Sequence, residues 1–396
     1  LLIFNFQFKK MEFSLNETQL AFQDAARTFS EKELAPFASE WDAKKIFPKD
    51  TIKKAGELGF CGIYTSEDVG GLGMSRLDAA IIFEELAASC PSTTAYITIH
   101  NMVTWMIDAF GSQKLRHEFC PKLTSGEWIS SYCLTEPGAG SDAASLQTKA
   151  EKIGDHYVLN GTKAFISGAG ETDILLIMAR TGDASSRGIS AFVVPANTEG
   201  ISFGENEKKL GWNTQTTRFV FMENVKIPIS NLIGEEGQGF KIALKGLDGG
   251  RINVGISSVG AAQGALNAAQ KYMHEREQFG KPLASFQALQ FKIADMVTEV
   301  VAARQMIYLA AYKLDNKDPN ATTYCAMAKC FATDQALKVC NDAIQLLGGY
   351  GITQDFPVER LMRDARVHQI VEGTNEIMRL VVSRKILEEG ATLQIR

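Results

Sequence analysis

Three glycine-containing segments of the chain combine polar side chains with backbone that lacks a Cβ. The first reads Cys133-Leu-Thr-Glu-Pro-Gly-Ala-Gly-Ser-Asp142. Gly138 and Gly140 allow another molecule to approach the backbone closely, and the hydroxyl groups of Thr135 and Ser141 add hydrogen-bond donors. Such a loop suits the carbonyl and phosphate groups of a cofactor, although composition alone favours a tight turn.

The second segment, Gln345-Leu-Leu-Gly-Gly-Tyr-Gly351, follows a long stretch of helical periodicity. Its paired glycines are compatible with a simple helix C-terminus, where a left-handed residue ends the hydrogen-bonding pattern. They are equally compatible with a ligand that contacts bare backbone N–H groups. Both interpretations stay open on the residues alone.

The third segment, 371–376, reads Val-Glu-Gly-Thr-Asn-Glu and contains the acidic side chain best suited to acid–base chemistry. Glu372 follows the mainly apolar stretch 367–371 and precedes Gly373. A carboxylate at a loop-to-helix junction is commonly a favourable charge at the helix N-terminus. If the junction is instead a dry pocket, the pKa of the carboxylate rises and Glu372 becomes a general base.

Other catalytic signatures are absent from the sequence. It has no GxxxxGK[ST] phosphate loop, no GxSxG nucleophile motif and no HExxH metal motif, and its five histidines lack metal-ligand spacing. The segment 70–75, Gly-Gly-Leu-Gly-Met-Ser, resembles part of a dinucleotide-binding fingerprint, but Ser75 replaces the third glycine. We therefore interpret it as a loop before a helix, and we predict no metal site.

The composition limits the class of protein. With 396 residues the chain is long enough for two or three domains, and 45% hydrophobic with 22% charged residues is typical of a soluble globular protein. The net charge of −5 argues against nucleic-acid binding, and the apolar runs are too short for membrane insertion. Seven scattered cysteines without a CxxC pair indicate reduced thiols rather than a secreted protein.

The first ten residues have an unusual pattern. Leu1–Phe8 is apolar and is followed by Lys9 and Lys10. The run is too short to span a bilayer and lacks the features of a signal or transit peptide. We expect Met11 to be the true start, and the fold prediction leaves out the residues before it.

Helical periodicity dominates both ends of the chain. Ser14 and Glu17 form a candidate capping box, and 76–89 and 101–110 have the pattern of apolar helices. Towards the C-terminus the long periodic segments are 239–278, 286–313 and 321–347. Long helices joined by short loops favour an antiparallel bundle.

The central part of the chain has the pattern of β-structure. Asn160-Gly161 lies between two β-type runs and predicts a hairpin with a type I′ turn. Further strands are predicted at 174–179, 189–194 and 218–222. Short strands without intervening helices favour a barrel or sandwich. The predicted domains are 12–126 (helical), 127–238 (β) and 239–396 (helical).

Together, the three glycine-containing segments resemble the acyl-CoA dehydrogenase family. The resemblance extends from about Glu12 onwards and includes both family signatures, at 133–145 and at 345–364. It implies an α+β multidomain fold with an N-terminal helical domain, a central β-barrel and a C-terminal four-helix bundle. It also implies a homotetramer, built as a dimer of dimers, with FAD between barrel and bundle and partly at a subunit interface.

The resemblance makes Glu372 the catalytic base. In the family this carboxylate removes the α-proton of an acyl-CoA thioester while the β-hydrogen leaves as hydride to N5 of the flavin, which gives a trans-2-enoyl-CoA. The thioester oxygen accepts hydrogen bonds from a ribityl hydroxyl of the flavin and from the amide of the catalytic glutamate, and these donors acidify the α-proton. An electron-transferring flavoprotein is the expected partner that takes the electrons.

The resemblance also assigns binding residues. Those expected along the flavin are Tyr132, Leu134, Thr135, Gly140, Ser141, Phe165 and Ser167. For Phe165 the alternative is a place in the barrel core. Those expected around the rest of FAD, partly from a neighbouring subunit, are Arg276, Phe279, Gln287, Gln345, Gly348, Gly349, Thr374, Asn375 and Glu376. Those expected at the CoA substrate are Ser141, Asp248, Gly249, Gly250, Arg251, Gly373 and Arg384.

The residue before the base bears on the acyl group. Many straight-chain members carry an aromatic residue there, whereas Val371 leaves room for a methyl branch. Val371 and several local strings resemble the branch that oxidises isobutyryl-CoA to methacrylyl-CoA in valine breakdown, from which Asp248 departs. The alternatives are a short straight-chain or 2-methyl-branched acyl-CoA, an acyl-CoA oxidase, or a non-catalytic scaffold. The expected compartment is the bacterial cytoplasm or the mitochondrial matrix.

Overall fold

The computed structural model describes residues 14–389. The expected start at Met11 therefore falls outside the described residues, as do 12–13 and 390–396 of the predicted outer domains. The N-terminal part is helical and consists of α1 (Glu17–Phe29), α2 (Ala38–Lys44), α3 (Lys49–Glu57), α4 (Arg76–Ser89), α5 (Pro91–Phe110) and α6 (Gln113–Thr124). Within 14–389, no helix has both the length and the apolar character that a membrane crossing requires.

A side-chain cap sets the start of α1. Oδ1 of Asn16 accepts a hydrogen bond from the backbone N–H of Gln19 (2.9 Å), and Oε1 of Gln19 accepts from the N–H of Asn16 (3.1 Å). The capping box predicted at Ser14 and Glu17 is therefore wrong by two residues. Asn and Gln satisfy the same backbone groups as Ser and Glu, so both spacings gave the same local signal.

The segment 70–75 is a loop before a helix, as predicted. Oγ of Ser75 accepts from the backbone N–H of Asp78 (3.1 Å) and so begins α4. α5 begins at Pro91, ten residues before the predicted start at 101. Proline suits the first helical position, because the N–H that it lacks would have no partner there.

The central part forms one eight-stranded mixed sheet. Its strands are β1 (Ser130–Cys133), β2 (Lys149–Ile153), β3 (His156–Ser167), β4 (Ile174–Arg180), β5 (Ile189–Pro195), β6 (Ile201–Phe203), β7 (Thr217–Pro228) and β8 (Leu232–Ile233). The strand order is β6-β7-β3-β2-β4-β5-β8, and β1 pairs with β4 in parallel. The chain thus has the predicted succession of helical, β and helical parts.

The two faces of β4 contribute to different cores. Ile174, Leu176 and Met178 pack with apolar residues of α5, α6 and the long helix that follows the sheet. Leu175 and Ile177 pack with residues of β2, β3, β5 and β7. Successive side chains of a strand point to opposite faces, so the sheet is covered by helices on one side and curls around its own apolar core on the other. This is the barrel-like form that the resemblance implied.

The hairpin predicted at Asn160-Gly161 is wrong. Both residues lie inside β3, and the turn between β2 and β3 is at 154–155. Oδ1 of Asn160 accepts from the backbone N–H of Asn224 in β7 (2.8 Å), while Gly161 marks a register shift. A Cβ at Gly161 would lie 2.5 Å from Oγ1 of Thr148, so glycine is needed for close packing. A bulge of this kind gives the same sequence signal as a turn.

The C-terminal part is a helical bundle. Its helices are α7 (Gly239–Glu275), α8 (Gln287–Asp315), α9 (Ala321–Leu347), α10 (Val358–His368) and α11 (Asn375–Glu389), and the short strands β9 (Glu277–Gln278) and β10 (Lys281–Pro282) connect α7 to α8. α9 has the predicted bounds, and the ends of α7 and α8 lie within three residues of the predicted ones.

α7 is the central helix of the molecule, 37 residues long. It packs against α8 and α9 of the bundle and against α4 and α5 of the N-terminal part. A Cβ at Gly260 would lie 2.4 Å from the carbonyl oxygen of Glu84, and one at Gly264 would lie 2.1 Å from that of Ala88. The missing side chains therefore let α4 approach α7 with backbone contact, and the two helices form one closely packed wall.

Candidate active site

Glu372 lies in a tight turn between α10 and α11. Its φ is 57° and that of Gly373 is 91°, so two consecutive residues adopt left-handed backbone. For a residue with a Cβ this conformation costs on the order of 1–2 kcal/mol, which the surrounding structure must compensate. The turn directs the Glu372 side chain against α7.

The Glu372 carboxylate packs directly on a glycine of α7. A Cβ at Gly250 would lie 2.3 Å from Oε2 of Glu372, and this oxygen is buried without a hydrogen-bond partner among the described residues. Burial raises the pKa of Glu372 to about 7, although the positive charges of Arg251 and Lys329 oppose the shift. A carboxyl group with a pKa near neutrality is well matched to general-base chemistry.

Lys329 anchors the turn from α9. Its side chain has no exposed surface, and Nζ donates to the carbonyl oxygen of Gly373 (2.8 Å) and to Oδ1 of Asn375 (2.9 Å). Burial lowers the pKa of Lys329 to about 8. Nδ2 of Asn375 donates to Thr333 (2.9 Å) and Asp334 (2.7 Å). The Asn375 amide is therefore bonded at both ends within the protein and helps to shape the turn.

The predicted CoA contacts of α7 form a buried ion pair beside Gly250. Nη1 of Arg251 donates to Oδ1 of Asp248 (2.7 Å), whose other oxygen accepts from Thr322 (2.7 Å). Burial raises the pKa of Asp248, and Arg251 opposes this shift. Nε of Arg251 is buried without a partner among residues 14–389. The guanidinium therefore keeps a free donor close to Glu372.

The glycine-rich loop after β1 begins beside Glu372. Tyr132 has a buried hydroxyl group with no hydrogen-bond partner in the described part of the chain. Burial raises the pKa of Tyr132, and the charge of Glu372 raises it further. The next predicted residues change from buried to exposed along the chain: Leu134, Thr135, Gly140 and Ser141. A Cβ at Gly138 or Gly140 would meet no atom within 4 Å, so the loop borders open space.

An ion pair that was not predicted holds this loop in shape. Glu136 accepts from the backbone N–H groups of Gln147 (2.6 Å) and Thr148 (2.9 Å) and from Nζ of Lys163 (2.8 Å), which is fully buried. Burial raises the pKa of Glu136, but the charge of Lys163 and the N–H donors outweigh it, so the pKa is lowered overall. The acidic residue of the glycine-rich motif is thus structural.

Phe165 presents an aromatic surface rather than filling the core. It is 63% exposed and has a φ of 57°, so the alternative of a place in the barrel core is wrong. Its ring centroid is 6.1 Å from that of Phe219, which is 6.1 Å from that of Phe221. Ser167, two residues on, is half-buried, and its carbonyl oxygen accepts from Oγ of Ser131 (2.6 Å).

A second group of predicted residues lies where α7 and α9 end. They border a surface pocket of about 600 Å³: Arg276, Gln345, Gly348 and Gly349. Gly348 has a φ of 61° and ends α9, as a C-terminal glycine does. Phe279, which is 94% exposed, and Gln287 lie at the surface outside the lining of this pocket.

The two groups are far apart on one chain. Gly250 and Arg276 are 26 residues apart along and just beyond α7, which corresponds to about 39 Å at 1.5 Å per residue. Thr374 caps α11, where its Oγ1 accepts from the N–H of Ile377 (3.3 Å), and Glu376 and Arg384 are exposed on that helix. The predicted residues therefore do not form one site within a single chain.

Two buried cations near Glu372 are not among the predicted residues. Lys329 sits within the apolar stretch of α9, where only its isolated charge was a local signal. Arg76 stacks on Tyr64 and Trp105, with the guanidinium carbon 3.5 and 4.6 Å from the ring centroids. Nothing in its local sequence distinguishes it from a solvated helix start, because its partners come from other parts of the chain.

Comparison with known proteins agrees with this architecture. Three family models match in order: the acyl-CoA dehydrogenase N-terminal domain at 16–127, the middle domain at 131–225 and the C-terminal domain at 237–387. Mitochondrial isobutyryl-CoA dehydrogenase of Bos taurus is 54% identical over 375 residues, which cover 95% of this chain and 90% of that protein.

Solved structures give the same result. A chain from a structure described as the electron transferring flavoprotein of Acidaminococcus fermentans is 43% identical with a TM-score of 0.94, covering 96% of this chain and 100% of that one. Butyryl-CoA dehydrogenase from Megasphaera elsdenii is 40% identical with a TM-score of 0.92, covering 95% and 100%. The family and fold predicted from the sequence are confirmed: this chain belongs to the acyl-CoA dehydrogenase family.

Proposed function

We propose that this protein is an FAD-dependent dehydrogenase that converts isobutyryl-CoA to methacrylyl-CoA in valine breakdown. The observation that carries the proposal is the buried carboxylate of Glu372, whose Oε2 has no partner among the described residues and whose pKa is raised to about 7. The 54% identity to the bovine isobutyryl-CoA dehydrogenase supports the substrate.

Glu372 removes the α-proton of the thioester. Because the α-proton is a very weak acid, its removal requires stabilisation of the negative charge that develops on the thioester oxygen. The backbone N–H of Glu372 makes no hydrogen bond within the described residues, so it is free to donate to the thioester oxygen. One preorganised donor on a developing oxyanion is worth about 3–4 kcal/mol. The carboxylate and the N–H of one residue thus hold the proton and the oxygen of the same thioester.

The residues around the β1 loop fit a flavin. Gly138 and Gly140 border open space, the Tyr132 hydroxyl has no partner among the described residues, and Phe165 offers an exposed ring. When bound, FAD supplies the acceptor for the two electrons that leave with the β-hydrogen. We propose that an electron-transferring flavoprotein then takes these electrons.

We infer that two copies of the chain complete each cofactor site. Arg276 lies about 39 Å from Gly250 along α7, and Gln345 of α9 borders the same pocket as Arg276, so both would contact FAD of a neighbouring subunit. Exposed apolar residues on α8 support assembly: Phe291, Val297, Val301, Leu309 and Tyr312. At 100° per residue they fall within about a third of the helix circumference. We propose a homotetramer built as a dimer of dimers.

A short straight-chain substrate is the second candidate. Val371 leaves room for a methyl branch, but Asp248 is also compatible with short-chain members, and butyryl-CoA dehydrogenase from Megasphaera elsdenii has the same fold. An oxidase that passes electrons to oxygen also retains the glutamate. The proposed compartment is the mitochondrial matrix or a bacterial cytoplasm. The bovine relative is described as mitochondrial.

Anaerobic bleaching of the flavin tests this function. The purified protein is titrated in parallel with isobutyryl-CoA, butyryl-CoA and isovaleryl-CoA. The proposal predicts that isobutyryl-CoA bleaches the flavin fastest. Faster bleaching by butyryl-CoA would favour the straight-chain candidate, and rapid peroxide formation in air without an electron-transferring flavoprotein would favour an oxidase. Flavin that is bound but not bleached by any of the three would contradict a short-chain dehydrogenase.

A further inference from the structure

Arg76 is a buried charge at the start of α4. It is 6% exposed, and burial lowers the pKa of its guanidinium, although arginine stays protonated in proteins. The guanidinium lies on the ring faces of Tyr64 (3.5 Å) and Trp105 (4.6 Å). Stacking on two aromatic faces stabilises a planar cation where water is excluded, and it holds the side chain in one place.

No carboxylate among the described residues pairs with this guanidinium. Asp315, whose charge acts on Arg76, accepts instead from the backbone N–H groups of Arg76 (2.9 Å) and Leu77 (3.2 Å). Nη1 of Arg76 is buried and has no hydrogen-bond partner in 14–389. Stacking on the two rings offsets part of the cost of burying this charge, and Nη1 is left as a buried donor that a bound molecule can reach.

Arg76 and the catalytic carboxylate pack on consecutive glycines of α7. A Cβ at Gly249 would lie 2.3 Å from Nη1 of Arg76, just as a Cβ at Gly250 would lie 2.3 Å from Oε2 of Glu372. Because consecutive Cα atoms are about 3.8 Å apart, the two charged groups lie within about 12 Å of each other. An acyl chain that extends from the base past Gly249 would meet the guanidinium.

The neighbours of Arg76 complete a wall at the same place. Nδ2 of Asn253 in α7 donates to the hydroxyl of Tyr64 (3.1 Å). Burial raises the pKa of the Tyr64 hydroxyl, and the nearby charge of Glu372 raises it further. Trp105 comes from α5. The wall thus joins α4, α5 and α7, and the stacked guanidinium is its polar centre.

We propose that Arg76 is a specificity-determining residue that closes the far end of the acyl pocket and restricts the enzyme to short acyl groups. The inference rests on the proposed function. The stacked side chain cannot swing away without leaving both rings, so the guanidinium limits the length of acyl chain that the pocket accepts. On this proposal a short branched acyl group lies between the base and the guanidinium.

Two substitutions separate the effect of the volume of the Arg76 side chain from the effect of its charge. Arg76→Ala opens the end of the pocket, whereas Arg76→Met removes the charge but keeps an unbranched side chain of similar length. The measurement is kcat/KM for isobutyryl-CoA, butyryl-CoA, hexanoyl-CoA and octanoyl-CoA. We expect Arg76→Ala to raise the ratio of hexanoyl-CoA to isobutyryl-CoA at least 10-fold, since a pocket discriminates by about that factor per methylene. Arg76→Met is expected to keep the wild-type order.

Binding gives a readout that does not depend on turnover. In the Glu372→Gln background, calorimetry measures the dissociation constants of hexanoyl-CoA and isobutyryl-CoA. We expect Arg76→Ala to tighten hexanoyl-CoA binding relative to isobutyryl-CoA by a similar factor. A uniform change for all acyl groups, in kcat/KM and in binding, would mean that Arg76 is merely structural and would overturn the inference.

The unpaired Nη1 of Arg76 could also bind an acidic acyl group, and a comparison with glutaryl-CoA tests this alternative. If the wild-type protein prefers glutaryl-CoA to isobutyryl-CoA and Arg76→Met loses that preference, Arg76 binds an acidic acyl tail and does not act as a length limit. Failure of the proposed function looks different: in that case none of the short acyl-CoAs bleaches the wild-type flavin. Bleaching by isobutyryl-CoA with an unchanged length profile in Arg76→Ala would overturn only the role of Arg76.

Discussion

α7 carries two parts of the predicted site that differ in construction, one towards its N-terminal end around Gly250 and one just past its C-terminal end around Arg276. Around Gly250, buried polar atoms of Glu372, Tyr132 and Arg251 have no hydrogen-bond partners among the described residues. Around Arg276 the predicted side chains are exposed, and a Cβ at Gly349 would meet no atom within 4 Å. Buried polar groups are normally paired, so the first end is arranged for a reacting molecule. In the proposed assembly the second end becomes a site when another copy of the chain covers it.

The difference separates chemistry from cofactor retention. One chain holds the base, its turn and the proposed wall of the acyl pocket, whereas in the proposed assembly the contacts at the end of α7 are made to the cofactor of a second copy. Substitutions at the first end should therefore change the rate per bound flavin. Substitutions at the second end should change the amount of flavin that stays bound.

The largest effect is expected for Glu372→Gln. Without the base, proton removal should slow by about 10³-fold or more, because a positioned base contributes about 10²–10⁴ and the amide cannot accept the proton. FAD content should not change, since the substitution is isosteric. Stopped-flow bleaching with isobutyryl-CoA and the flavin absorbance of the purified variant measure the two quantities. Turnover at the ordinary rate would remove Glu372 from the mechanism.

Gly250→Ala tests the packing of the base on α7. The new Cβ would lie 2.3 Å from Oε2 of Glu372, so the carboxylate must move, and a displacement of about 1 Å costs about 10²-fold in rate. Gly255→Ala is the matched control on the same helix, because its Cβ would lie 2.3 Å from Cδ1 of Ile307 instead. We expect the control to lower thermal stability and to leave the bleaching rate within a few-fold of wild type. Equal rate losses in both variants would contradict the specific contact.

Arg276→Ala tests the other end of α7. We expect flavin content after dialysis to fall, with affinity about 10-fold weaker, because a cationic fork that suits phosphate is lost. The bleaching rate per bound flavin should stay unchanged. Lys271→Ala removes another exposed cation near the end of the helix and is expected to retain flavin. If neither variant loses flavin, the result would argue against a contact between Arg276 and the FAD of another subunit.

The smallest effect concerns the pH dependence. Glu372 acts when deprotonated, so the rate should rise with pH through its pKa of about 7. Lys329 opposes the upward shift of this pKa, so removing its charge should move the midpoint to higher pH, by about one unit. Lys329→Gln keeps a donor for the turn, whereas Lys329→Met does not. The same upward shift in both variants would identify the charge as the cause, and a midpoint that stays near 7 would contradict it.

Sequence features of short range predicted the fold well. The bounds of α9 followed from its helical period, and the loop at 70–75 followed from the missing third glycine. The sequence located the motif around Glu372. It did not predict that the side chain is buried, because the turn packs on Gly250, which is more than a hundred residues away in the chain. The left-handed backbone of Glu372 was likewise hidden, since only Gly373 carried a local signal.

The incorrect predictions have a common physical cause. Asn160-Gly161 has the composition of a turn, but its environment is decided by Asn224 and Thr148 on neighbouring strands. The cap at Asn16 and the box predicted at Ser14 satisfy the same backbone groups, so composition alone did not choose between them. Arg76 gave no signal at all, because its partners are brought together only by the fold.

The pH dependence of anaerobic flavin bleaching by isobutyryl-CoA, compared between the wild-type protein and Glu372→Gln, tests the central claim most directly. If Glu372 is the base, the wild-type rate rises with an apparent pKa near 7, and the variant is slow and flat across the same range. A variant that bleaches with the wild-type rate and profile would contradict the assignment of Glu372 as the group that removes the α-proton.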